Sequence, residues 1–244
     1  MKGDQMRLIF IRHGDPDYVN DSLTEKGKRE AELLAKRVAT WDNITHYYAS
    51  PLGRAQLTAK YSLDPLGITP TTLDWLQEFP VRIYHPGDNT RMRVAWDLLP
   101  DYWRKHPEYF DKDKWGNADL YRESGVKEEY DHITGEFTKL LAEYGIHEKE
   151  NVYYTDRPGD DSTLVFFCHL GVSFVLISKL LGMSPAFMWH TFFVATTSVT
   201  IVGAEELTPG ILNFRIQSLG DTRHLNDGGE PTSRSGYFQD IFQG

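Results

Sequence analysis

The chain has one cysteine in 244 residues, Cys168. An intramolecular disulfide is therefore impossible, and a cysteine-rich structural zinc site is excluded. No apolar run approaches membrane-spanning length, and the opening MKGDQ is polar with no signal-peptide core behind it. Basic residues are in deficit, 26 Lys and Arg against 35 Asp and Glu, for a formal charge of −9. That balance argues against a nucleic-acid partner or an anionic membrane surface. It leaves room for an anionic small molecule, because a local arginine cluster reverses the field inside a cleft. The histidines show no metal-ligand spacing such as H-E-x-x-H, so neither a metal nor another cofactor is expected. There is no internal repeat. The expectation is a soluble cytoplasmic protein; nothing in the sequence specifies an oligomeric state.

What the chain has in quantity is apolar bulk, 40% of residues, including 13 Tyr, 13 Phe and 6 Trp, enough for a sizeable core. Short apolar runs between polar residues read as buried strands: Leu8–Ile11, Ile44–Ala49 and Thr163–Cys168. Thr71, Leu73 and Trp75 alternate as a further strand. Thr24 has the chemistry of an N-cap, with Glu25 in the first turn, and Ala31, Leu34, Ala35, Val38 and Trp41 follow at helical spacing. A helix opens at Ala55, another runs from Val126 to Tyr144, and a third follows His169 through Leu181. Thr196–Val202 and Ile211–Gln217 read as a closing hairpin around Thr208-Pro209-Gly210. Strand and helix alternate, so the expected class is α/β, three-layer, with a mostly parallel central sheet and helices on both faces. The expected organisation is one domain over 1–244, with a cap inserted at about 80–125 and a polar C-terminal tail at 220–244 that ends in Tyr237, Phe238, Ile241 and Phe242. Periodicity is lost between Pro80 and Gly125. Trp96, Trp103, Tyr109, Phe110, Trp115 and Tyr121 make that stretch too aromatic for a disordered linker, and it reads as a partly helical cap whose aromatics mainly build its own small core.

In a parallel sheet, ligands gather at the carboxyl ends of the strands. Two strands deliver a histidine there: Leu8–Ile11 runs into Arg12-His13-Gly14, and Thr163–Cys168 into His169-Leu170-Gly171. Alone, His13 is as readily an ordinary loop histidine. Arg54, from the turn Ser50-Pro51-Leu52-Gly53-Arg54, and Glu78, beyond the third strand, change the balance. Two arginines and two histidines at one edge make little sense as packing, because burying unpaired charge is costly. They make sense around a dianion. The arginine fork matches phosphate oxygens, imidazole is a nucleophile or base near neutral pH, and a carboxyl group protonates a leaving oxygen and later takes a proton from water. Cys168 reads as a small buried hydrophobe; on a strand it points away from His169, against a cysteine–histidine pair.

With these residues in this order, the chain resembles the histidine phosphatase superfamily, the clan that includes the cofactor-dependent phosphoglycerate mutases. Arg12-His13-Gly14 matches its opening motif, and Leu23-Thr24-Glu25-Lys26-Gly27 its Leu-Thr-x-x-Gly helix start. Ser50 to Ala59 matches Ser-Pro-x-x-Arg-Ala-x-x-Thr-Ala, Leu76-Gln77-Glu78 the acidic segment, and His169-Leu170-Gly171 the late His-x-Gly. The resemblance implies that His13 is the nucleophile, forming a covalent phosphohistidine by in-line attack. It implies that Arg12, Arg54 and His169 bind the substrate's equatorial phosphoryl oxygens, and that Glu78 protonates the leaving alkoxide and then assists water. Asn20 lies near the place of a further phosphate-contacting asparagine, and Arg82, in the insert that should form much of the leaving-group pocket, is expected to add a substrate contact. Asp15 is the best substitute acid. Leu170 stands where the acid-phosphatase branch has its acidic aspartate, which favours Glu78.

The expected activity is that of a phosphomonoesterase acting on a small phosphorylated metabolite. One alternative is a phosphoglycerate mutase-type phosphotransferase. Against it, Asp15 to Ser22 is too short for the Gly-rich segment with which glycolytic mutases bind the substrate carboxylate. The other is a non-catalytic phospholigand-binding protein, disfavoured because each expected catalytic position is filled.

Overall fold

In the computed structural model, which describes residues 6–85 and 88–235, the first apolar run is the strand β1 (Arg7–Arg12), buried along all but its first residue. Its side chains alternate as a strand's must. Leu8 and Phe10 enter one core cluster, Ile9 and Ile11 another. The remaining strands are β2 (Pro16–Asp17), β3 (Ser22–Leu23), β4 (His46–Ala49), β5 (Thr71–Thr72), β6 (Arg82–His85), β7 (Asp88–Val94), β8 (Ile146–Lys149), β9 (Val152–Thr155), β10 (Thr163–Cys168), β11 (Val199–Thr208) and β12 (Ile211–Asp221). The α-helices are α1 (Glu25–Val38), α2 (Gly53–Leu63), α3 (Pro100–Trp103), α4 (Asp119–Arg122), α5 (Val126–Glu143), α6 (Leu170–Leu181), α7 (Pro185–Thr191) and α8 (Arg223–Asp227).

Eight strands form one sheet in the order β5-β4-β10-β1-β11-β12-β9-β8. The class is α/β, as expected. Pairing is mixed: β5, β4, β10 and β1 run parallel, whereas β11, β12, β9 and β8 add on antiparallel. The parallel half carries both histidine-bearing strand ends. Helices cover both faces. Leu34 and Val38 of α1 and Ala59 and Leu63 of α2 pack on Ile9, Ile11, Val165 and Phe167. On the other face α5, α6 and α7 pack on Leu8, Phe10, Leu164 and Phe166. Thr24 caps α1, its Oγ1 accepting from Gly27 N at 3.1 Å. α6 is buried at ten of its twelve positions, which explains why it is apolar around its whole circumference.

Four features differ from expectation. β5 is only two residues long, and the chain then makes a 3₁₀ turn over Asp74–Leu76; Leu73 and Trp75 pack on the core from this turn and not from a strand. The stretch after Pro80 contains a β6–β7 hairpin as well as short helices. Trp103, Tyr109, Trp115 and Tyr121 are buried, continuous with the large core. The β8–β9 hairpin has no counterpart among the expected elements. The stretch read as a tail from Gly220 still belongs to β12 as far as Asp221, then forms α8, whose His224 and Leu225 are buried. MKGDQ and the tail residues Tyr237, Phe238, Ile241 and Phe242 lie outside the described residues. Among the described residues no helix is long and apolar enough to cross a membrane.

Candidate active site

The parallel register places Arg12 beside Cys168, so β1 and β10 end level and hand His13 and His169 to the same edge. The two imidazoles lie 5.0 Å apart, centroid to centroid, tilted by 56°. Both are essentially inaccessible, at 1% and 0% exposure. His13 Nδ1 is 2.7 Å from the carbonyl of Gly14. A carbonyl only accepts, so Nδ1 carries the proton and Nε2 keeps its lone pair. His169 Nε2 lies 2.7 Å from Ser50 Oγ, which also accepts from Leu52 N at 3.2 Å. A serine hydroxyl that donates to Nε2 puts the imidazole proton on Nδ1. That atom is buried with no hydrogen-bond partner. Burial, reinforced by Arg12, holds His13 well below the usual histidine range. Burial does the same for His169, with His13, Arg54 and Arg12 adding to it. Both rings are neutral at physiological pH.

The two arginines are held from outside. Arg12 donates from Nη1 to the carbonyl of Val194 at 2.8 Å. Arg54 donates from Nη1 to Asp21 Oδ1 at 2.6 Å. Nε of each is buried and unpartnered. Tyr18 bridges them: its ring lies 5.5 Å from the Arg54 guanidinium, and its hydroxyl lies against Arg12. Tyr18 is itself 65% exposed.

Glu78 sits at the start of α6. Its Oε1 accepts from Phe79 N at 2.9 Å and from Val172 N at 3.1 Å, so it caps that helix from a distant segment. Burial nonetheless raises its pKa above the usual carboxylate value. Both of these bonds fall on Oε1, and the N–H of Gly171 adds a third contact to the carboxyl group. The glycines of the sequence motifs are explained by close approach. A Cβ on Gly171 would lie 2.6 Å from Glu78 Oε1 and 2.5 Å from the Trp96 ring. A Cβ on Gly14 would lie 2.7 Å from the Gly27 carbonyl, and one on Gly27 2.2 Å from the Asp15 carbonyl. Thr58, also a motif residue, accepts from Gly14 N at 3.0 Å and donates to the Arg54 carbonyl at 2.8 Å, tying α2 to the end of β1.

The structure therefore brings Arg12, His13, Arg54, Glu78 and His169 to one edge. It does not bring Asn20 or Arg82 there. Asn20 is exposed, with its amide committed to Asp17 Oδ2 at 2.7 Å. Arg82 is exposed on the outward side of β6 and does not line the site cavity. Asp15 is turned away too: Thr24 donates to its Oδ2 at 2.6 Å, and Ser233 hydrogen-bonds to its Oδ1. A cavity of about 610 Å³ opens beside Arg12 and Glu78, walled by Trp96, Trp103, Trp189 and Phe193. Of these, Trp189 and Phe193, after α6, have no role in the sequence reading. Their signal, an aromatic-rich WHTFF run, does not distinguish a pocket wall from core. Among the described residues no group of three or more His, Cys, Asp or Glu side chains is arranged to hold a metal ion. Cys168 is buried, and burial raises its thiol's pKa.

The family model of the histidine phosphatase superfamily (branch 1) matches residues 8–145. A probable phosphoglycerate mutase, GpmB, of Yersinia pestis is 39% identical in an alignment of 82 residues that covers 30% of this chain; the chain spans 38% of the length of that relative. Among solved structures, phosphoserine phosphatase from Entamoeba histolytica, in complex with 3-phosphoglyceric acid, aligns over 90% of this chain and 99% of its own at 20% identity, with a TM-score of 0.57. A mycobacterial glucosyl-3-phosphoglycerate phosphatase complexed with VO3 aligns over 88% of this chain and 98% of its own at 18% identity, with a TM-score of 0.56. At such identities the likeness is one of fold.

Proposed function

Because the chain belongs to the histidine phosphatase superfamily, we propose that it is a phosphomonoesterase that works through a phosphohistidine at His13. The observation that carries this reading is the pairing of a neutral His13, whose proton is fixed on Nδ1 by Gly14, with two buried guanidinium groups and the orphaned Nδ1 of His169. Such a set is costly to bury unless an anion completes it.

In the proposed reaction the phosphoryl dianion displaces the exposed Tyr18 from between Arg12 and Arg54. His13 Nε2 attacks phosphorus in line, the phosphorus–oxygen bond to the alcohol breaks, and Glu78 gives its proton to the departing oxygen. Arg12, Arg54 and His169 Nδ1–H hold the equatorial oxygens, where the charge sits in the transition state. Glu78, now a carboxylate, takes a proton from water as that water attacks phosphorus. The phosphorus–nitrogen bond breaks, and His13 and Glu78 return to their starting states. Residues 80–125 act as a cap that walls the leaving-group side. Two cationic and two imidazole side chains supply the charge stabilisation, so activity is expected to withstand chelators.

A second reading, phosphoryl transfer back to a substrate as in a mutase, draws on the partial identity to the probable phosphoglycerate mutase. One experiment separates the two. The chain is mixed with a ³²P-labelled phosphomonoester, quenched at intervals in alkaline detergent, and inorganic phosphate is counted alongside protein-bound label. Alkali-stable, acid-labile label that is lost in His13→Ala, together with steady release of inorganic phosphate, supports the phosphatase. Label without net phosphate release supports the mutase. Turnover retained in a folded His13→Ala protein refutes both.

A further inference from the structure

The cavity beside Arg12 and Glu78 is the space on the acid's side of the site, where the alcohol portion of a substrate must lie if the phosphomonoesterase reading holds. Its volume of about 610 Å³ is ample for a small-molecule group. Its walls are aromatic. Trp96 and Trp189 lie with ring centroids 6.0 Å apart, and Trp103 packs on His190 at 5.0 Å. Phe193 stands 5.7 Å from the Arg12 guanidinium. The indole N–H of Trp189 is spent on the Gly171 carbonyl at 2.9 Å, so that ring offers the cavity only its apolar body.

Beyond the phosphoryl end, the titratable groups of the wall already have partners, and Thr191 and Ser235 add only uncharged hydroxyls. Among the described residues lining the cavity, Arg12 is the only arginine or lysine, and it belongs to the phosphoryl end. His190 supplies no positive charge. Its Nδ1 is 2.7 Å from the Ala186 carbonyl, and its Nε2 accepts from Leu98 N at 3.2 Å. Both ring nitrogens are used in the neutral form, and burial brings its pKa down to about 4. Asp97, the carboxylate of the rim, is paired with Arg93 at 3.0 Å. Among the described residues, a substrate carboxylate entering here would meet no cation beyond Arg12, which the phosphoryl group occupies, and Arg93, which Asp97 already pairs, and would lose its water for little in return. A cationic head group would have to compete with Arg93 for Asp97.

Resting on the phosphomonoesterase reading, we infer that this cavity is a leaving-group subsite for phosphomonoesters of uncharged, apolar, ring-bearing alcohols, and that it discriminates against the carboxylate-bearing esters named with the similar folds. The aromatic walls select a ring by stacking and by area buried.

The test compares kcat/KM of the full chain across alkyl phosphates with comparably basic leaving alcohols: 2-phenylethyl phosphate, glycerol 1-phosphate, phosphocholine, phosphoserine and 3-phosphoglycerate. The phenylethyl ester is expected to exceed glycerol 1-phosphate by about tenfold and the two carboxylate-bearing esters by on the order of a hundredfold. Trp96→Ala should reduce the phenylethyl-to-glycerol ratio about tenfold. Thr191→Lys places a cation on the exposed cavity rim, at a helix C-terminus that tolerates it. It should raise 3-phosphoglycerate relative to the phenylethyl ester about tenfold. If a carboxylate-bearing ester or phosphocholine is the best substrate, the inference is overturned while the phosphatase reading stands. If no ester is turned over and no phosphoenzyme forms, the phosphatase reading falls and takes the inference with it.

Discussion

Gly171→Ala tests whether Glu78 must stand where it does. The added Cβ would sit 2.6 Å from Glu78 Oε1 and 2.5 Å from the Trp96 ring. Ordinary contact is about 3.5 Å, so something must move by roughly 1 Å. Gly171 is the second residue of α6, whose backbone is locked in a buried helix, so the movement falls on Glu78 and Trp96. Glu78 is pinned through the same Oε1 to Phe79 N and Val172 N, and a shift of that size breaks the geometry of both bonds. Misplacing a catalytic group by 1 Å costs about a hundredfold. A loss of that order is expected in single-turnover phosphoenzyme formation from an alkyl phosphate, whose alkoxide needs the proton. From p-nitrophenyl phosphate, whose phenolate does not, the loss should be small. A double-mutant cycle with Glu78→Gln sharpens the test. If Gly171 acts through Glu78, adding Gly171→Ala to Glu78→Gln costs little further. Equal losses on both esters, or full additivity in the cycle, would refute the reasoning.

Glu78→Gln is expected to remove the alkaline limb of the kcat/KM profile for alkyl esters. The wild-type acid must be protonated, its pKa is raised by burial, and activity falls as pH rises through that value; a surviving limb would exclude it. Ser50→Ala removes the hydroxyl that lies 2.7 Å from His169 Nε2 and, as donor, would fix its tautomer, and it should cost about ten- to a hundredfold in kcat. Ser50→Thr should recover most of that loss, and failure of the hydroxyl to rescue would remove the tautomer argument. His190 and His224 are held down to about 4 by burial, and His13 and His169 are shifted the same way. The unfolded chain protonates these rings near pH 6.5 and the folded one resists. Stability should therefore decline as pH falls from 6.5 toward 4, by up to about 1.4 kcal/mol per pH unit for each histidine. Urea midpoints across that range check this, and His190→Gln should flatten the slope.

The parts of the fold that were legible in the sequence are those where one physical signal dominates. Leu8–Ile11 and Thr163–Cys168 are short, apolar on both faces and followed at once by polar residues, which only buried parallel strands require. Thr24 and Gly27 together announce the start of α1. The β8–β9 hairpin was illegible for an equally physical reason: its turn is made by Glu150 and Asn151, with φ of 52° and 63°, and Glu150 carries none of the glycine or asparagine signal expected of that conformation. The alternation of Thr71, Leu73 and Trp75 suggested a longer strand because a 3₁₀ turn can bury the same side chains. Asn20 and Arg82 have the right chemistry, but hydrogen bonding to Asp17 and the outward face of β6 decide their placement. Neither can be read along the chain. Glu78 could be found by its place after the third strand. That its Oε1 caps α6 could not, since that contact spans 94 positions.

The sheet order carries a consequence for how the protein is made. β1 ends at Arg12, yet its neighbours are β10, beginning at Thr163, and β11, ending at Thr208. Until those segments leave the ribosome, a strand with apolar side chains on both faces has neither edge paired. At about 5 to 20 residues per second, that exposure lasts on the order of ten seconds or more. β1 is thus synthesised well before either neighbour can enclose it, and the nascent chain must be shielded or fold slowly around it. His13 can meet the second imidazole of the site only when translation has passed His169.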